Sequence, residues 1–202
     1  MSERFAAIVI GSGFGGSVAA CRLAQAGEKV LVLERGKRWQ TEEFPRALED
    51  QWLFDVDEPE DQHGWIDLRL FRHIAVAQGA GVGGGSLIYA NVSVPAEPFV
   101  FETGWPPEIT HAVLAPYYAT VGKRLDVQEL PAGQETARLQ LVRDAAAAVG
   151  DASRFRKLPL AVRFDPGWTY SGAEPGDASR SRFDTNAFGR RQGTCIHCGN
   201  CD

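Results

Sequence analysis

The chain opens on an uninterrupted apolar run, Phe5-Ala6-Ala7-Ile8-Val9-Ile10. Continuous apolarity over a short stretch that ends on glycine predicts a strand buried on both faces, as in a parallel sheet. An alanine-rich stretch from Gly15 to Ala26 then meets Gly27, which predicts a helix closed by that glycine. A second apolar run, Val30-Leu31-Val32-Leu33, leads into Glu34. Strand, helix and strand in this order predict a βαβ unit. Its two strands, Phe5–Ile10 and Lys29–Glu34, are expected side by side and parallel, both largely buried.

Downstream the pattern weakens. From Trp39 to Asp67 the chain is acidic and aromatic, with Glu58-Pro59-Glu60-Asp61 at its centre. Such a stretch fits a lid between core elements, and equally an inert solvated loop. Residues 67–77 partly alternate and predict a strand. Prolines punctuate the chain beyond Asn91, at Pro95, Pro98, Pro106 and Pro107. A helix is expected over Leu114–Leu125 with Pro116 in its first turn. A second is expected over Gln134–Val149, where Leu141, Ala145 and Val149 share a face and Gly150 ends it. From Asp151 onward Arg, Ser, Gly, Asp and Pro dominate, and at most one strand, Leu158–Phe164, is visible.

Composition narrows the class. The chain has 202 residues, 44% of them hydrophobic and 23% charged, an ordinary balance for a globular protein. A net charge of −5 with no Lys/Arg cluster argues against nucleic acid or a membrane surface as partner. The apolar N-terminal run is too short for a signal or membrane segment, and the helix after it carries Arg22 and Gln25. A cytoplasmic location is the expectation.

The chemistry begins at the end of the first strand. Gly11-Ser12-Gly13-Phe14-Gly15-Gly16 joins strand to helix, and Glu34 ends the next strand. This is a dinucleotide fingerprint in its proper context. Gly11 permits the tight turn, and Gly13 offers no side chain to block a pyrophosphate. Gly16 lets the helix approach the sheet. The N–H groups that open the helix face phosphate charge, and Glu34 is placed to accept hydrogen bonds from ribose hydroxyls.

A second glycine-dense run, Gly79-Ala80-Gly81-Val82-Gly83-Gly84-Gly85-Ser86-Leu87, cannot form a stable helix or ordinary strand. A linker would be polar on both sides, whereas this run leads into Leu87-Ile88-Tyr89-Ala90. A backbone laid against a large planar ligand is the better reading. Together with the first glycine turn and Glu34-Arg35-Gly36, the run resembles the glucose–methanol–choline (GMC) oxidoreductases, and within them the cholesterol-oxidase-like branch. Pro116-Tyr117-Tyr118 echoes a further motif of that family.

The resemblance implies an α/β fold: a Rossmann-like FAD-binding domain with a central parallel sheet, over residues 1–125, followed by the start of a substrate domain over 126–202. It implies FAD bound non-covalently. The ADP half falls to Gly11, Gly13, Phe14, Gly15 and Glu34, with Ser12, Gly16 and Arg35 also counted among the cofactor-binding residues. The ribityl chain and ring fall to Gly79, Gly81, Val82, Gly84, Gly85 and Ser86. Where the family pattern has an Asn two residues after Ser-Leu, this chain has Tyr89; either Asn91 takes over that flavin contact by a local shift, or the contact is to backbone. The implied activity is oxidation of a CH–OH group on a small-molecule alcohol or sterol-like donor, with hydride passing to flavin N5. The family's catalytic histidine belongs to a motif that none of His63, His73, His111 and His197 matches, so no catalytic residue is assigned.

Cys195, Cys198 and Cys201 form C-x2-C-x2-C next to the end of the sequence. The spacing begins like an iron–sulfur ligand run, with His197 it could present zinc ligands, and it equally suits structural or redox thiols. No metal ligand is assigned. A cysteine motif at this position suggests the N-terminal piece of a longer protein. Cys21, inside the first helix, is expected as a small buried residue. Two rival functions remain: an NAD(P)-dependent reductase, with Arg35 as partner for a 2′-phosphate, and a cysteine-ligated electron-transfer or metal-binding module on a Rossmann scaffold.

Overall fold

The computed structural model describes residues 3–40, 43–45, 47–58, 60–169, 176–186, 189 and 191–197. The chain divides into two compact units, residues 1–90 and 91–201, a packing boundary upstream of the functional division expected at 125/126.

The first unit begins with the expected βαβ. Strand β1 (Ala7–Ile10) and strand β2 (Val30–Leu33) pair in parallel, with Ala7 opposite Val30 and Ile10 opposite Leu33. Helix α1 (Phe14–Gln25) connects them. It ends as the glycine predicts: Gly27, at φ 89°, donates to the Ala24 carbonyl and the Glu28 N–H reaches back to Leu23. Half-buried Gly16, Ala20 and Leu23 mark the inward face of α1, at helical spacing. Cys21 lies off this face and is exposed, not buried as expected.

The expectation of two-sided burial fails. Ile8 is 60% exposed and Ile10 86%, while Ala7 and Val9 are half-buried; Leu31 is half-buried, and Val32 and Leu33 are exposed. The alternation has a simple cause: α1 packs on the Val9 side of β1, and Ile8 and Ile10 point the other way. The parallel sheet, expected to be central, is a pair of strands, and the later strands form antiparallel pairs.

The stretch expected as one strand over 67–77 is a hairpin. Strand β3 (Ile66–Leu70) pairs antiparallel with β4 (Ala75–Gly79) across the turn at Phe71–Ile74, which contains neither Gly nor Pro to announce it. The acidic aromatic excursion folds back onto β3: Phe54 and Ile66 share a backbone hydrogen bond, and the Trp39, Phe44, Trp65 and Trp52 rings touch in that order, tilted or edge-on, at 5.3–6.0 Å between centroids.

The second unit holds helix α2 (His111–Arg124) and helix α3 (Ala137–Ala148). Each starts at a threonine whose hydroxyl accepts from the third helical N–H, Thr110 from Val113 and Thr136 from Leu139, both at 3.3 Å. The Thr110 cap moves the start of α2 upstream, so Pro116 lies inside the helix instead of in its first turn. The Thr136 cap likewise leaves Gln134 outside α3, in a 3-10 turn, fully buried and donating to the Asp165 carbonyl at 2.6 Å. Gly150 closes α3 as expected. The Leu141–Val149 face is outward, with Leu141 68% and Val149 76% exposed, and α3 packs instead through half-buried Leu139, Arg143 and Ala146. Strand β5 (Gln128–Glu129) pairs with β6 (Pro159–Leu160), the one element expected near Leu158. Strands β7 (Phe183–Thr185) and β8 (Arg191–Gly193) form a hairpin with no sequence forewarning. Among the described residues no helix is long and apolar enough to cross a membrane.

The core is thin. Among the described residues the buried hydrophobics are Ala80 and Phe164, and much of the tight packing is backbone against glycine. Gly36 is the clearest case: a β-carbon there would collide with the Ala80 carbonyl and the Gly81 nitrogen. Gly36→Ala should therefore destabilise the first unit by about 1–3 kcal/mol, because backbone cannot swing aside as a side chain does. A lower midpoint in urea denaturation is the expected result, and an unchanged midpoint would refute this account of the packing.

Candidate dinucleotide site

The two glycine segments meet. Gly11, at φ 88°, turns the chain out of β1, and its N–H donates to the Leu33 carbonyl at 2.7 Å. Gly13 is the N-cap of α1, and no side chain caps that helix or places an acid in its first turn. The positive end of α1 is thus left for an anion. The second segment continues from β4: Gly83 (φ 111°) and Gly84 (φ 53°) reverse the chain in a conformation that favours glycine, and Gly84–Leu87 forms a 3-10 turn. A β-carbon on Gly84 would stand 2.9 Å from the Gly13 Cα.

Ser12 ties the segments together. Its N–H and its hydroxyl both donate to Glu34 Oε2, at 2.8 and 2.7 Å, and the same hydroxyl accepts from the Gly83 N–H at 3.0 Å. Glu34 Oε1 accepts from the Gly36 N–H at 3.1 Å. Glu34 is therefore partly committed to its own protein, though each carboxylate oxygen keeps acceptor capacity for a ligand. Burial pushes its carboxyl upward, and the hydrogen bonds from Ser12, Gly36 and Arg35 more than reverse this, holding it below the ordinary value of 4.5.

A cavity of about 480 Å³ opens where these parts converge. Gly11 and Gly13 form one wall, Gln78, Gly79, Gly84 and Gly85 another, and Glu34 and Arg35 the rim at the tip of β2. The space beside each glycine separates two roles. Around Gly11 and Gly15 nothing stands within 4 Å of an added β-carbon, and at Gly13 only the Gly84 Cα does, at 4.0 Å. Gly16 is backed by the Gly11 carbonyl, Gly79 by Gly84, and Gly81 by the Trp39 ring at 2.7 Å, so packing alone already requires glycine there. An open cradle at Gly13 beside an uncapped helix end fits a pyrophosphate.

The remaining expected residues fall as follows. Phe14 sits on α1, where a β-carbon added to Gly85 would meet its ring at 3.5 Å, and it meets Tyr89 edge-on at 5.3 Å between centroids. Burial pushes the Tyr89 phenol up. Val82 donates its N–H to the Lys37 carbonyl at 3.0 Å, and the Ser86 hydroxyl donates to the Gly83 carbonyl at 3.0 Å. Asn91 belongs to the second unit, at φ 56°, where its carbonyl accepts from the Ala161 N–H and the Ser93 hydroxyl. Arg35 donates to Asp67 Oδ2 at 2.6 Å. Ser12 as a bridge and Asp67 as the Arg35 partner were not foreseen; the small hydroxyl between the first two glycines was the only sequence signal for the former.

None of the four histidines lines the cavity. His63 and His73 are exposed, and His111 begins α2 beside Phe101 and Tyr118. His197 is turned inward, 4.7 Å from the Trp168 ring and 3.1 Å from Gln134 Oε1, and burial lowers its pKa. The Cys195 N–H donates to the Arg163 carbonyl at 2.7 Å. Cys198 and Cys201 lie outside the described residues.

Ser12→Ala should cost about 1–3 kcal/mol, since Gly83 loses an acceptor and Glu34 a donor in a half-buried place. The Glu34 contribution carries a definite pH sign. With its folded-state pKa lowered, it is fully present above the ordinary carboxylate value and is lost as pH falls through the lowered value. Glu34→Gln should therefore be less stable than the parent at neutral pH, with the gap closing in acid. Denaturant midpoints measured at neutral and at strongly acidic pH check this, and a pH-independent gap would contradict it.

The sequence is similar to those of known proteins. Residues 9–55 fit the family model of the NAD(P)-binding Rossmann-like domain. The chain is 35% identical over 204 residues to a cholesterol oxidase of Mycobacterium tuberculosis, covering 100% of the chain and 34% of the relative. It is 34% identical over 202 residues to a cholesterol oxidase of Acinetobacter baumannii, covering 96% of the chain and 34% of the relative. A 38-residue stretch is 58% identical to an uncharacterized GMC-type oxidoreductase of M. tuberculosis, 19% of the chain and 6% of that protein. The chain thus spans about a third of the length of the cholesterol oxidases it matches. With its glycine turn, its acid-tipped second strand and a likeness to cholesterol oxidases along its whole length, the chain belongs to the GMC oxidoreductases.

Proposed function

We propose that this chain carries the FAD-binding part of an oxidoreductase that acts on the CH–OH group of an alcohol or sterol-like donor. The observation that supports it best is the single cavity bounded by both glycine segments and by Glu34. A nicotinamide site of the ordinary Rossmann kind uses the first segment and the acid; it has no need of a second glycine wall.

The residues divide the work of binding. The open turn at Gly11 and Gly13 and the uncapped start of α1 receive the pyrophosphate charge. Glu34, kept ionised by Ser12 and Gly36, accepts from the adenosine ribose. The Gly79–Ser86 segment, turned by Gly83 and Gly84, forms the wall along which the rest of the cofactor runs. Bound FAD supplies the electron acceptor for alcohol oxidation. These residues orient it and exclude water from one side.

Titrating the apoprotein with FAD, and separately with NADH, tests the reading. Saturable FAD binding with quenched flavin fluorescence supports it, and binding of NADH alone overturns it. Gly13→Val should abolish FAD binding by filling the cradle, at a stability cost of about 1 kcal/mol from the poorer N-cap. Undiminished FAD affinity in that variant would remove the fingerprint from the account.

A further inference from the structure

Arg35 stands at the rim of the cavity, where an arginine is the usual partner of a ribose 2′-phosphate. Its guanidinium is already engaged. It donates to Asp67 Oδ2 at 2.6 Å and lies over the Phe54 ring, 5.3 Å from the centroid. Asp67 comes from β3, and its side chain is 3% exposed. Its other oxygen pairs with Arg69 Nε at 2.7 Å. A carboxylate this deep is stable only while its cations stay in place, since withdrawing one leaves buried charge uncompensated. A ligand phosphate that sought Arg35 would have to take it from Asp67, and would meet the ionised Glu34 beside it.

We propose that Asp67 is a specificity-determining positioning residue: by holding Arg35 against the β3–β4 hairpin it makes the site select adenine dinucleotides with a free ribose 2′-hydroxyl and reject their 2′-phosphorylated counterparts. This rests on the reading of the cavity as an adenine dinucleotide site. Glu34 contributes repulsion, and Asp67 withholds the attraction that would offset it. The device reaches the ligand only through Arg35.

The test is calorimetric titration of the protein with ADP-ribose and with its 2′-phosphate form, ligands that differ only at the position in question. The unmodified protein should prefer ADP-ribose by about tenfold or more, the scale of one charge-assisted hydrogen bond gained or lost. Asp67→Asn should narrow that ratio by releasing Arg35, and Asp67→Asn/Arg35→Gln should restore it. Arg35→Gln alone, which leaves Asp67 its Arg69 partner, should shift both ligands alike, so the proposal stays testable if Asp67→Asn does not fold. A selective loss of the 2′-phosphate form in Arg35→Gln would overturn the proposal, as would an unchanged ratio in folded Asp67→Asn or equal binding of the two ligands to the unmodified protein. Failure of both ligands to bind the unmodified protein would instead overturn the dinucleotide reading itself.

Discussion

The Ser12 hydroxyl sits between two segments that are far apart in the chain, donating to Glu34 and accepting from Gly83. Everything about the site depends on that pair of bonds. Glu34 is fixed at the tip of β2 by the turn that follows β1, and the glycine segment that follows β4 is fixed to the same turn. A hydroxyl suits the position because it can donate and accept at once. An amide side chain could match the bonds but not the space, for Ser12 is buried where Gly13 and Gly84 nearly touch.

Around this bond the molecule is assembled from backbone contacts. Gly16 against the Gly11 carbonyl, Gly36 against Ala80 and Gly79 against Gly84 bring main chain to main chain with no side chain between them. Such contacts determine the shape of the cavity walls more narrowly than side-chain packing could, since a side chain can change rotamer and a peptide plane cannot. The same economy leaves Ile8, Ile10 and Leu33 at the surface, because α1 covers one face of a two-stranded sheet.

Much of the site was legible in the sequence because its determinants are local. A glycine turn between an apolar run and a helix, with an acid at the end of the next run, needs no tertiary knowledge to read, and Gly27 and Gly150 end their helices for equally local reasons. What was hidden depends on partners distant in sequence. Ile8 and Ile10 look like core residues until it is known what covers them. The turn at Phe71–Ile74 carries no Gly or Pro, so two strands read as one. Arg35 reads as a phosphate ligand from its place after Glu34, and its pairing with Asp67, 32 positions away, is invisible in the sequence. The two later helices start a few residues from where apolar periodicity places them, because the caps at Thr110 and Thr136 decide the first turn.

The scarcity of buried apolar side chains has a thermodynamic consequence. Unfolding raises heat capacity, and raises sensitivity to denaturant, in proportion to the apolar surface it newly exposes. Where Ala80 and Phe164 are the buried hydrophobics among the described residues, that increment is small for a chain of this length. A flat stability curve and a broad melting transition are the expected result. Any ligand that binds only the folded first unit adds its binding free energy to that margin, so ligand occupancy and folding become one equilibrium observed from two sides.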